Sequence, residues 1–157
     1  MMNESAHTIM STDLITITPD QNLTQVRKIF LTNKIHHLPV TEGKQLVGLV
    51  TTYDLWRRSF APTEYDNIKV KDVMSTDLAK ISPSDKIGSA AEIFLDNRFH
   101  ALPVVDEKNN LLGMVTSFDV MLYEFKKEYP NPILFKHLFE PKKSDELQES
   151  DAASRAT

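Results

Sequence analysis

The chain repeats itself, and that limits what it can fold into more than any other feature. Met10-Ser11-Thr12-Asp13-Leu14 returns as Met74-Ser75-Thr76-Asp77-Leu78, an offset of 64 residues. Residues 9–40 aligned with 73–104 share 15 identities in 32 positions. The offset becomes 65 beyond Val40, because Val105 to Asn110 is one residue longer than Thr41 to Gln45. Register then resumes, with Leu46 to Asp54 matching Leu111 to Asp119. A single insertion between matched apolar runs belongs in a loop, where packing tolerates it. The halves are therefore one structural unit used twice.

Each half carries the same elements. Leu14 to Thr18 is short and β-branched, which predicts a first strand ended by Pro19. Leu23, Val26, Ile29 and Phe30 recur at helical spacing, with Asp20 as the expected cap. The second half repeats this with Ile87, Ala90, Ala91, Phe94 and Leu95, capped by Ser84 or Asp85. His37 to Val40 and Leu46 to Val50 predict a hairpin turning at Glu42-Gly43-Lys44. Thr51 or Thr52 is placed to cap the helix carrying Leu55 and Trp56, and Ser117 to cap the one carrying Val120, Met121 and Phe125. The unit reads β-α-β-β-α, an α/β (α+β) class. One unit of about 55 residues buries too little surface to stand alone comfortably, so two are expected to pack about a pseudo-twofold axis. The expected division is a flexible start at 1–7, units at 8–60 and 70–124, and a linker at 61–69. A helical extension at 125–140, with an apolar face from Ile133, Leu134, Phe135, Leu138 and Phe139, precedes a disordered tail at 141–157.

Composition removes several function classes. A net charge of −4 without a basic stripe argues against nucleic acid. There is no cysteine, so neither a thiolate nucleophile nor a disulfide framework is available. No apolar run reaches the roughly 20 residues of a membrane helix, and the start lacks the pattern of a signal peptide. A cytoplasmic, non-membrane protein is the expectation. No nucleophile–base pair, metal set or phosphate loop is visible, so an enzyme is not expected.

The order β-α-β-β-α, with His-x-Leu-Pro-Val in each half and Gly-x-x-Thr-x-x-Asp at each third-strand junction, resembles the CBS domain. Its doubling over roughly residues 8–124 resembles a CBS pair, or Bateman module. The resemblance implies clefts that bind AMP, ADP, ATP or a related adenosyl ligand, with S-adenosylmethionine ranked behind the nucleotides. It also implies regulation through ligand-driven shape change, a homodimer, and a client protein that receives the signal. A module that only dimerises, with empty clefts, is the competing reading.

Within that resemblance, Thr51 and Thr116 are implied to meet phosphate, and Asp54 and Asp119 the ribose hydroxyls. A Thr followed three residues later by Asp is equally a helix-capping pattern. Leu14, Ile15, Leu78 and Ala79 are implied to line the adenine slots. Ala79 opposite Ile15 predicts clefts of different volume. His36, His37 and His100 resemble the phosphate-contacting His-Arg-Leu-Pro-Val stretch of kinase-regulating gamma subunits, but His37 and Ala101 stand where arginine is found there. Histidine is a poor substitute for a permanent bidentate cation and makes pH relevant. Arg57 and Arg58 follow Asp54 and have no counterpart at Leu122 and Tyr123. Tyr53 and Phe118 are placed either to stack on a base or to block the cleft.

Overall fold

The computed structural model describes residues 2–97 and 99–131. The chain divides into two compact units, residues 1–123 and 124–157. The first holds both repeats. In the second, the described residues complete a helix, and Phe125 stacks on Tyr129 at 5.2 Å. The apolar extension beyond residue 132 and the tail at 141–157 lie outside the described residues.

The elements follow the repeat. Helix α1 (Leu23–Asn33) leads to strands β1 (His37–Glu42) and β2 (Gln45–Thr51) and helix α2 (Thr52–Arg57). Helix α3 (Ile87–Asn97), strands β3 (Ala101–Val105) and β4 (Leu111–Thr116), and helix α4 (Ser117–Glu128) repeat that order. Both hairpins are antiparallel, and each carries a bulge at the matching position, after Val40 and after Val104. Gly43 turns the first hairpin at φ 60°, a conformation that favours glycine. The proline in each Leu-Pro-Val strand forfeits no ladder bond. Pro39 and Pro103 face the side where only a carbonyl is needed, accepting from Ile17 and Ile81 N–H at 3.0 Å each.

The predicted first strand is not a strand. Ile17 alone pairs with β1, through a parallel bridge to Val40, and Ile81 does the same with Val104. The rest of each run crosses between the two sheets. Ser11 bonds both ways with Met114 of β4, at 2.9 and 3.0 Å, before the chain reaches Ile17 on the first sheet. Ser75 bonds both ways with Leu49 of β2 before the chain reaches Ile81 on the second. Residues 12–16 and 76–80 therefore bridge the sheets.

The exchange extends to the cores. Val70 and Val73, from the start of the second repeat, lie in the core built by Leu23, Val26, Leu38 and Val50. Ala6, from the start of the chain, lies in the core of Ile87, Leu102, Val104 and Val115. Backbone bonds repeat the pattern: Val70 N–H donates to Gln21 and Ala6 N–H to Asp85. The start expected to be flexible is thus bonded from Met2 onward, Met2 accepting from Gly88 N–H at 2.9 Å. The expected linker also packs: Tyr65 and Ile68 cover the first core, and Asp66 accepts from the Thr24 hydroxyl at 2.6 Å.

Several caps differ from expectation. Asn22, not Asp20, caps α1, in a reciprocal pair with Gln25. Asp20 instead meets Lys71 and Lys69 at 3.0 and 3.2 Å, and their hydrogen bonds, then their charges, hold its carboxyl below the usual range. Asp85 closes the turn before α3 by accepting from Ser82 N–H at 2.7 Å. Thr116, not Ser117, caps α4.

The glycine of each Gly-x-x-Thr is explained by the exchange. A Cβ on Gly48 would stand 2.5 Å from the Met74 sulfur, and one on Gly113 would stand 2.8 Å from the Ser11 carbonyl oxygen. The Met74 side chain can move aside, but the Ser11 backbone is fixed by its bonds to Met114. Gly113→Ala is expected to lose about 1–3 kcal/mol of stability through overpacking, and Gly48→Ala distinctly less. Urea denaturation of the two variants checks the order. Among the described residues, no helix is long and apolar enough to cross a membrane.

Candidate functional site

The crossing segment 76–80 passes over the junction of β2 and α2, and a cavity of about 740 Å³ lies between them. From the first repeat it is lined by His36, His37, Leu49 and Thr51 to Asp54, and from the second by Ser75, Asp77 to Ala79 and Phe99 to Ala101. One space therefore gathers eight of the expected residues: Thr51, Tyr53, Asp54, His36, His37, His100, Leu78 and Ala79. Thr116, Phe118, Asp119, Leu14 and Ile15 do not line it. Leu49, Thr52, Ser75, Asp77, Phe99 and Ala101 line it without having been named as ligand-binding. For Asp77 the signal was present, because Met-Ser-Thr-Asp-Leu is the most strictly repeated run and its Asp comes directly before Leu78.

The Thr/Asp pair is a closed cap. Asp54 Oδ2 accepts from both the Thr51 N–H and the Thr51 hydroxyl at 2.8 Å, and the Thr51 oxygen accepts from Asp54 N–H at 3.2 Å. A hydroxyl has one hydrogen, and here it is given to Asp54. The expected phosphate contact from Thr51 has no donor in this arrangement. The second repeat matches: the Thr116 hydroxyl donates to Asp119 Oδ2 at 2.6 Å. The cap uses only Oδ2 of Asp54, so Oδ1 takes no part in it. The His36 carbonyl accepts from Thr52 N–H at 3.1 Å, fixing the histidine segment against the start of α2.

The arginines point to other work. Arg57 lies over the Tyr53 ring, 6.0 Å from its centre, and Tyr53 packs on Trp56 at 5.8 Å. Arg58 donates to the carbonyls of Asp72 and Val73 at 3.4 Å each. Neither lines the cavity. Among the described residues, no group of three or more His, Asp or Glu side chains is placed to hold a metal ion.

His37 is half-buried at the start of β1. Burial pushes its pKa below the ordinary 6.5, His100 and His36 push the same way, and Asp54 opposes them. Above about pH 6.5 the ring is neutral folded or unfolded. As pH falls through that value, the unfolded chain takes a proton that the folded one resists, so stability drops until the depressed folded value is passed. His37→Gln is expected to flatten this loss. Urea midpoints of the two proteins between pH 5 and 8 check it, and parallel curves would remove His37 from the account.

The same architecture is found elsewhere. The model of the CBS domain matches at residues 6–55 and again at 70–126. The protein MJ1225 of Methanocaldococcus jannaschii is 31% identical over 132 residues, covering 77% of this chain and 47% of its own. Its crystal structure superposes with a TM-score of 0.74 at 29% identity, over 78% of this chain and 48% of that one. CBSX2 in complex with AMP gives 0.70 at 23% identity, over 80% and 98%. The CBS domain pair of MJ0100, in complex with 5′-methylthioadenosine and S-adenosyl-L-methionine, gives 0.67 at 23%, over 78% and 97%. The chain spans less than half the length of several curated relatives it matches. The repeat, the exchanged segments and these likenesses agree: the chain belongs to the CBS domain family, as a tandem pair.

Proposed function

We propose that this CBS pair is a regulatory module that binds an adenosyl ligand in the cleft between its repeats and passes the resulting change to a partner protein, as a homodimer in the cytoplasm. It catalyses no reaction of its own. The observation that carries the reading is the single cavity joining Asp54 and Tyr53 of one repeat to Leu78 and Ala79 of the other. In this reading Asp54 Oδ1 takes a ribose hydroxyl, and the base lies between the Leu78-Ala79 segment and apolar neighbours such as Leu49. CBSX2 with AMP and MJ0100 with 5′-methylthioadenosine and S-adenosyl-L-methionine support the ligand class. A ligand that bridges the repeats and binds only the folded form raises the unfolding midpoint. A thermal shift series with AMP, ADP, ATP and S-adenosylmethionine tests this, and no movement at millimolar concentration would sink it.

One observation favours the competing reading of a purely structural dimerisation module. Both Thr/Asp pairs are already satisfied as caps, while Trp56 and Leu95 stand 75% and 83% exposed. The same series decides between the two.

A further inference from the structure

We propose that this cleft discriminates by charge: it takes an adenosyl ligand that is neutral or positively charged beyond the ribose, and Asp77 is the residue that sets this preference. The inference rests on the binding reading above and narrows it. It also reverses the order in which the sequence ranked the nucleotides before S-adenosylmethionine.

The ionic balance of the lining is the first ground. Among the described residues, the cavity is lined by two carboxylates, Asp54 and Asp77, by His36, His37 and His100, and by no lysine or arginine. The described lining thus carries two acidic groups and no permanent cation. A polyphosphate needs fixed cations or several donors, as phosphate sites elsewhere provide.

The second ground is that the Thr51 hydroxyl, implied to meet phosphate, and the N–H groups beside it are engaged, which leaves only neutral hydroxyls such as those of Thr52 and Ser75 on the wall. The Thr51 hydroxyl and Thr51 N–H both go to Asp54, the Asp54 N–H goes to Thr51, and the Thr52 N–H goes to His36. Arg57 is held on the Tyr53 ring, and Arg58 on two backbone carbonyls. Opening any of these to admit a phosphate costs an existing interaction.

The third ground is Asp77 itself. It is exposed, it lines the cavity from the crossing segment, and it makes no hydrogen bond or ion pair with any other described residue. Asp54 is closed into a cap and belongs to the fold, but Asp77 supports nothing structural. A free carboxylate facing a ligand cavity repels phosphate and attracts a sulfonium or ammonium group.

Calorimetry in magnesium-free buffer at pH 8 tests this with four probes: neutral 5′-methylthioadenosine, cationic S-adenosylmethionine, AMP and ATP. The expected order places both uncharged and cationic probes at least tenfold tighter than ATP, with AMP between. Asp77→Asn should weaken S-adenosylmethionine severalfold, leave 5′-methylthioadenosine within twofold, and strengthen AMP. If ATP or AMP binds as tightly as 5′-methylthioadenosine, the charge inference falls while the binding reading stands. An Asp77→Asn variant with wild-type affinities for S-adenosylmethionine and AMP also overturns it. If none of the four binds, both fall together.

Discussion

Removing residues 1–11 is expected to destabilise the second repeat, which begins only at Val70, by more than about 3 kcal/mol, the class of effect produced by opening a buried core. The segment fills that core with Ala6, which is wholly inaccessible to solvent. It also accepts from Ile87 and Gly88, donates to Asp85 and Pro83, and pairs both ways with Met114. Such bonds contribute about 0.5–1.5 kcal/mol each, and the freed chain regains some entropy in return. The larger loss is hydrophobic, because Ile81, Ile87 and Leu102 lose the cover of Ala6 and its partly buried neighbours Met2, Ile9 and Met10. Hydrogen exchange locates the damage. Amides of Ile87, Gly88 and Met114 should exchange faster, while those of Ile17 and Thr41 on the first sheet stay protected. An unchanged urea midpoint with unchanged protection would show that the start is dispensable.

That result bears on how far the sequence could be read. Both main helices, both hairpins and the doubling were legible, because apolar spacing and turn residues are local signals repeated at a constant offset. The run from Leu14 to Thr18 was not. Its β-branched residues encode an extended backbone, but nothing local says whether that backbone joins one sheet or crosses between two. The exchange of segments is a tertiary fact, and it explains both the missing strand and the buried start. Asn22 was recoverable, since Gln25 stands three residues after it and completes a capping box. Thr51, Asp54 and the histidines were named from motifs, and they line one cavity. Asp77 was not singled out although its run repeats, because only its place on the cavity wall, without a described partner, sets it apart.

Asp54→Ala is expected to weaken 5′-methylthioadenosine binding about 10- to 100-fold, the equivalent of losing 1.5–3 kcal/mol of charge-assisted hydrogen bonding. The same change opens the α2 cap and costs about 1 kcal/mol of stability, so affinity must be read well below the unfolding midpoint. Asp119→Ala supplies the control. It opens the equivalent cap on α4, where Asp119 accepts from Thr116 N–H at 2.8 Å, so its structural cost should be similar. Asp119 does not line the cavity that holds Asp54. If the cavity is the binding site, Asp119→Ala should leave affinity there within about twofold, although it matches Asp54 in the repeat. Asp54→Asn refines the comparison: its amide oxygen can still accept in the cap, but the charge is gone, so stability should recover more than affinity. Calorimetry and urea denaturation on the three variants separate the roles. Equal affinity losses from Asp54→Ala and Asp119→Ala would mean that the two junctions act alike and that this cavity is not the distinguishing site. No loss from either would return the Thr/Asp pairs to capping alone.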